Sequence, residues 1–279
     1  MEEYDWNSKL AYLRNTRDLY YNDDYLSFLV NSVWKITGPV HIVDYGCGYG
    51  YLGLILLPLL PIGSKYTGID RGETLIAEAR ELFRALPYET EFIEGDATEI
   101  ELKNKYDIAV SHAFLLHMNS PKAMLQKMIN SIKEGGHVIC FEPHWISNMS
   151  SYALGGVIQS EIIQLGVLQK LFGEDTHRSG KDGNIGMKIP MFLSELGVKN
   201  IECRVSDKVN FLDSNITQND KQGLYNSLKE EGIASNPGEK QQFIDRLMSR
   251  GLTDIEAFHI HSSLVYAPNM KITYGEIRR

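Results

Sequence analysis

Cysteine is scarce in this chain of 279 residues: Cys47, Cys140 and Cys203 stand far apart, without the close pairing that metal ligands require. No metal site is expected on that count, and the three thiols read as buried and free in a reducing cytosol. Long basic runs are missing as well. The net charge is −8, so the general field of the protein gathers neither nucleic acid nor anionic membrane. No apolar run is long enough to span a bilayer. The most apolar window, Leu52 to Ile62, is short and broken by Pro58 and Pro61. The opening Met-Glu-Glu-Tyr-Asp lacks the positive region of a secretion signal. These absences predict a cytoplasmic protein with no nucleic-acid or membrane partner.

What is present is organised around His41-Ile42-Val43-Asp44-Tyr45-Gly46-Cys47-Gly48-Tyr49-Gly50. A β-branched run ends in an acid, glycines alternate with other residues, and an apolar helix begins at Tyr51. Glycine lets a backbone turn tightly and approach a ligand closely. Such a loop before a helix is expected to offer unpaired N–H groups to an anionic part of a nucleoside ligand. Gly48, Gly50 and Gly53 also fit the dinucleotide pattern G-x-G-x-x-G, a weak signal alone. Asp44 decides between ligands at this level. A carboxylate beside the loop repels a pyrophosphate and attracts an α-ammonium and a sulfonium, so its charge favours S-adenosylmethionine (SAM) over NAD.

Strands and helices alternate from here, which predicts a doubly wound, mostly parallel sheet with helices on both faces. The later strands are Tyr66–Asp70, Glu91–Ile93, Tyr106–Val110 and His137–Phe141. The helix after the second carries Leu75, Ile76, Ala79, Leu82 and Phe83 on one side. Ser120-Pro121 opens another, and Gly135-Gly136 is expected to close it. Residues 1–36 read as an aromatic-rich helical arm, either packed on the core or covering the ligand with one or more tyrosines. Within it, Asp23 or Asp24 is expected to cap a helix bearing Leu26, Leu29, Val30, Val33 and Trp34. Residues 37–145 form the α/β core. Residues 146–187 form an insertion with a helix from Ile158 to Phe172. Residues 188–212 continue the core with a helix from Pro190 to Leu196 and a strand from Asn200 to Phe211. Residues 213–264 read as a second, helical insertion, and 265–279 as a final strand. The two insertions are expected to form a lid.

In open α/β sheets the ligand lies beyond the carboxyl ends of the strands, at the topological switch. Residues just past each strand are therefore the candidate site. Asp44, Gly46, Cys47, Gly48 and Gly50 would hold the methionine end, with Ser111 or His112 on its far side. Asp70, with Arg71 beside it, would accept from both ribose hydroxyls. Asp96 would take the adenine amine, and the Ala97 N–H would reach the ring. Three acids at three successive strand ends are an improbable coincidence.

Taken in order, Val43-Asp44-Tyr45-Gly46-Cys47-Gly48-Tyr49-Gly50, Gly68-Ile69-Asp70, Glu94-Gly95-Asp96-Ala97 and the segment from Asp107 to His117 resemble the class I, seven-strand SAM-dependent methyltransferases. The resemblance implies seven strands with a final antiparallel one, and the roles just given for Asp70 and Asp96. Base-directed amino methyltransferases of that family carry an acid or amide, Pro-Pro and an aromatic after strand four. Ser111-His112-Ala113-Phe114 stands there instead, which points to a small-molecule acceptor. His144 and His117 are the first candidates for a general base, with His112 and His177 next, since imidazole titrates near neutrality. The competing readings are a nucleotide-dependent oxidoreductase and a non-catalytic SAM-binding regulator.

Overall fold

Five residues from His41 to Tyr45, four of them buried, form β1, around which the molecule is layered. The computed structural model describes residues 5–102, 105–154, 165–212, 264–266 and 269–278. β1 pairs in parallel with β2 (Lys65–Asp70) on one side and β4 (Tyr106–His112) on the other. β2 carries β3 (Glu89–Glu94), and β4 carries β5 (Ile132–Pro143), again in parallel. The sheet order therefore reverses between β1 and β4, where open α/β sheets place their ligands.

β10 (Met270–Glu276) lies antiparallel between β5 and β7 (Lys199–Val205), completing the seven-stranded sheet β3-β2-β1-β4-β5-β10-β7. The final antiparallel strand is thus present, and the doubly wound fold is as the alternation predicts. Helices cover both faces. On one, α2 (Asp23–Phe28), α3 (Tyr51–Leu56) and α4 (Glu73–Arg84) bury Leu26, Leu52 and Ile76. On the other, α5 (Pro121–Asn130) buries Met124, Leu125 and Met128. The apolar stripe of α4 is the one its sequence spacing requires.

Several boundaries differ. Asn22, not Asp23 or Asp24, stands at the N-cap of α2 and makes no side-chain cap bond; the helix passes into a π turn at Leu29–Val33. Helix α5 stops at Asn130, so Gly135 and Gly136 lie within β5 and do not close it. The strand expected over residues 200–211 breaks after Val205. Its second piece, β8 (Asn210–Leu212), joins β6 (Tyr152–Leu154) and β9 (Leu264–Tyr266) in a separate sheet of order β6-β9-β8. The final core strand accordingly begins at Met270, after β9.

In the first insertion, α6 (Trp145–Ser150) precedes β6, and α7 (Leu165–Ser179) runs on past Phe172, where the helix was expected to end. Residues 155–164, where that helix was expected to start, lie outside the described residues, as do 213–263 of the second insertion. Trp145 packs on Phe172 with ring centroids 5.7 Å apart, tying α6 to α7. Helix α8 (Ile189–Glu195) then leads into β7, close to its expected range. Among the described residues no helix is long and apolar enough to cross a membrane.

Candidate active site

A cavity of about 790 Å³ opens at the switch point, walled by the segments that follow β1, β2, β3 and β4. The glycine loop contributes Gly46, Cys47 and Gly48, and the end of β2 contributes Asp70 and Arg71. Asp96 and Ala97 come from the segment after β3; His112, Phe114 and His117 come from β4 and the turn beyond it. Two covering elements complete the wall. Trp6, Leu13 and Arg17 come from the N-terminal arm with its helix α1 (Leu10–Arg17), and Ser179 and Lys181 come from the first insertion.

The arm is therefore a cover, but not through its tyrosines. Tyr20 and Tyr21 are buried in the core, and neither they nor Tyr12 line the cavity; Tyr4 lies outside the described residues. Instead Trp6 meets His117 edge-on, with ring centroids 4.7 Å apart. Trp6 belongs to the aromatic run that suggests a cover, although a tyrosine was expected in its place; Arg17 carried no sequence signal.

The glycine loop is wound against β2. The Gly46 N–H donates to Ile69 O at 2.8 Å, and that of Cys47 to the same oxygen at 3.0 Å. The Gly48 N–H donates to Asp70 Oδ2 at 2.8 Å, and that of Gly50 to Cys47 O at 2.9 Å. These four donors were expected to face a ligand anion; they are committed to the protein. Gly46, Gly48 and Gly50 all have positive φ, and a Cβ on Gly46 would overlap the Phe114 ring. Gly50 itself does not line the cavity.

Asp44 requires a correction. Its side chain is fully buried and does not line the cavity; the Tyr66 hydroxyl donates to its Oδ2 at 2.6 Å. Oδ1 has no partner, and burial pushes the carboxyl up to about 7 against the effect of that bond. An inward-facing acid sealed under Tyr66 cannot sort ligands by charge.

Asp70 is the acid that faces the cavity. It spans the loop and the next turn, accepting from Gly48 through Oδ2 and from the Gly72 N–H through Oδ1, each at 2.8 Å. Burial raises its pKa while those backbone bonds oppose the rise. Asp96 accepts from the Thr98 N–H and hydroxyl, both at 2.7 Å. The hydroxyl bond is the main reason its carboxyl is held below the usual range.

Of the remaining candidates, His112 and His117 line the cavity, whereas Ser111 and His144 do not. Ser111 is buried and donates to Glu142 Oε1 at 2.9 Å, an oxygen that also accepts from the Leu115 N–H at 3.0 Å. Glu142 is sealed in, and burial pushes it up to about 7. His144 turns into α6 after Pro143, with Nδ1 against Ser147 Oγ, which removes it from the site. His177 is exposed on α7. Burial pushes His117 down to about 3, helped by the Lys181, Arg17 and Arg71 cations. Burial and then Arg17 also drive His112 well below its ordinary value, and its Nε2 has no hydrogen-bond partner. Both imidazoles are neutral at pH 7. Among the described residues no cluster could hold a metal ion.

Comparison with known proteins places this geometry. The malonyl-[acyl-carrier protein] O-methyltransferase of Acetivibrio thermocellus is 36% identical over 95 residues, 34% of this chain and 32% of that protein. The demethylmenaquinone methyltransferase of Bacillus mycoides is 25% identical over 174 residues, 58% of this chain and 71% of that protein. The first curated relatives are matched over only 32–38% of their own lengths. Phosphoethanolamine N-methyltransferase 2 of Haemonchus contortus, in complex with phosphomonomethylethanolamine and S-adenosylhomocysteine, shares the fold. Its TM-score is 0.57 at 13% identity, covering 99% of this chain and 59% of that one. A family model described as a methyltransferase domain matches residues 36–177, just over half of the chain. The chain belongs to that family, the SAM-dependent methyltransferases of the class I, seven-strand fold.

Proposed function

We propose that the cavity binds SAM and that the protein transfers its methyl group to a small-molecule acceptor held beside it. The observation that carries this reading is the pairing of two strand-end carboxylates, Asp70 and Asp96, with a glycine loop whose amides are already bonded. Asp70 would take the ribose hydroxyls through the lone pairs that the Gly48 and Gly72 amides leave over. Asp96 would take the adenine amine, between the apolar side chains of Ile69 and Leu75 and the Ala97 backbone. Gly46 and Gly48, without Cβ atoms, let the methionine end lie close to the loop.

Bound there, SAM supplies an electrophilic methyl carbon on a positively charged sulfur. The acceptor's lone pair would form the new bond while the electrons of the C–S bond stay on sulfur. The contribution of the chain is alignment and exclusion of water by the arm. Positioning alone supplies up to about 7–11 kcal/mol of such a barrier. Neutral His112 and His117 can accept a hydrogen bond from the nucleophile. Held so far below neutrality, they are weak bases, so alignment carries more of the rate than proton removal.

The names of the two curated relatives point to acceptors other than nucleic acid. The net charge of −8 and the Ser111-to-Phe114 sequence agree with a cytoplasmic enzyme of that kind. Titration calorimetry with SAM, S-adenosylhomocysteine and NAD tests the proposal. Saturable binding of the first two is expected; NAD binding without SAM binding would hand the site to the oxidoreductase reading.

A further inference from the structure

We propose that Glu142 is a positioning residue for methyl transfer: its buried carboxylate holds the turn after β4 against backbone strain at Ala113, and so fixes where Phe114 and His117 stand in the cavity. The inference rests on the methyltransferase reading above and adds a residue that lies outside the cavity wall.

The first observation is the strain. Ala113 lines the cavity and has φ +50°, a left-handed conformation that residues with a Cβ rarely adopt. Among the described non-glycine residues only Lys35 and Asn200 share a positive φ with it, and neither lines the cavity. Such a backbone persists only where its surroundings over-determine it, and it clusters at ligand clamps. Here it turns the chain. The Ala113 N–H still follows the β4–β5 ladder, donating to Phe141 O at 2.8 Å; the residues after it leave the sheet for a 3-10 turn at Leu115–His117.

The second is what answers that strain. Glu142, fully buried as the penultimate residue of β5, gathers three donors on Oε1: the Ser111 hydroxyl at 2.9 Å, the Phe114 N–H at 3.2 Å and the Leu115 N–H at 3.0 Å. These donors lie on both sides of Ala113, so one oxygen ties the two sides of the kink together. Oε2 has no partner, which commits the side chain to this turn. The first N–H groups of a helical turn need caps, and Phe114 at the N-cap makes no side-chain bond. A buried carboxylate is a costly way to supply one. Serine or asparagine on the turn itself would serve at less cost. What Glu142 adds is a fixed strut from the neighbouring strand.

The third is what the turn carries. The Phe114 ring lies against Gly46 of the glycine loop, and His117 faces the cavity against Trp6 of the arm. The Leu116 carbonyl accepts from the Asp182 N–H at 3.0 Å, so the first insertion docks on the same turn. Loop, arm and insertion all meet on a turn whose geometry Glu142 sets. A displacement of about 1 Å in an aligned site can cost about a hundredfold in rate. Release of this turn would displace Phe114 and His117 and leave Asp70 and Asp96, which follow other strands, in place.

The test compares the full chain with Glu142→Leu, which fills the space without an acceptor, and Glu142→Gln, which keeps an acceptor oxygen at the same reach. Saturating methyl-labelled SAM and a small-molecule cell extract give the transfer rate, and calorimetry gives S-adenosylhomocysteine affinity. Glu142→Leu should lower the rate by about tenfold or more, with a smaller loss of affinity, and Glu142→Gln should recover most of the rate. NMR of histidine-labelled protein reads the turn without an acceptor. His117, pushed down to about 3 by burial, should titrate closer to its ordinary value in the leucine variant. Glu142→Asp keeps the acid but draws it back by one methylene; its rate should fall too, and it carries the test if the leucine variant does not fold. Adding Ala113→Gly, which removes the strain, should restore part of the lost rate. An unchanged rate in Glu142→Leu or Glu142→Asp, no recovery with glutamine, or a rate that falls only as far as affinity does, overturns the positioning role and leaves the methyltransferase reading standing. No label transferred by the unaltered chain, with SAM bound, overturns both.

Discussion

At the scale of single residues, two aspartates that look alike in sequence have opposite surroundings. Asp44 and Asp70 both end strands, yet one points under Tyr66 and the other into the cavity. Strand position was legible; the side on which each carboxyl is satisfied was not, because that depends on a tyrosine from the neighbouring strand. Asp70→Asn should therefore weaken S-adenosylhomocysteine binding by about 10–100-fold, the worth of charge-assisted bonds, as read by calorimetry. For Asp44 the effect is on folding. Its folded pKa of about 7 exceeds the ordinary 3.8, so the native state binds the extra proton across that interval. That stability is fully present below about pH 4 and is lost as pH rises through about 7. Glu142 acts in the same direction, from 4.5 to about 7. Thermal melting of Asp44→Asn should accordingly decline less between about pH 5 and about pH 8 than that of the wild type. An equal decline would mean that the carboxyl is not held protonated.

At the scale of elements, periodicity located α4 and α8 because each buries one face, and the central parallel strands stand out as short apolar runs because helices cover both of their faces. It failed where glycine was read as a terminator. Gly135 and Gly136 lie inside β5, where the Gly135 N–H and the Gly136 carbonyl pair with Ile277 and override the local preference. The glycine loop is the element where the residue type is required. Gly46 has φ +75° and lies against Phe114, whereas Gly135 has φ +76° with open space around it. Alanine at either position meets a backbone cost of about 1–3 kcal/mol. Gly46→Ala must also displace the phenyl ring, so urea denaturation should show it the less stable of the two; equal losses would mean that the ring moves freely. The arm offers a milder test. Trp6→Ala removes the edge contact with His117 and opens the cover, so nucleoside affinity should fall several-fold with little change in melting temperature.

At the scale of the whole molecule, the sheet order, the switch point and the position of the cavity follow from alternation and from acids at strand ends, all readable in the sequence. The assignment of walls to distant segments is not. Arg17 and Lys181 are 164 positions apart in the chain and meet only because the arm and the first insertion cover the same sheet edge. No local pattern encodes such a meeting. The result is one cavity walled by the glycine loop, the strand ends, the arm and the first insertion. Diffraction from crystals of the S-adenosylhomocysteine complex tests the placement of the cofactor in this cavity most directly. The account predicts ribose on Asp70, adenine beside Asp96 and the sulfur facing His112 and His117. A nucleoside lying the other way round, with its sulfur toward Asp96, or bound outside this cavity, would contradict it.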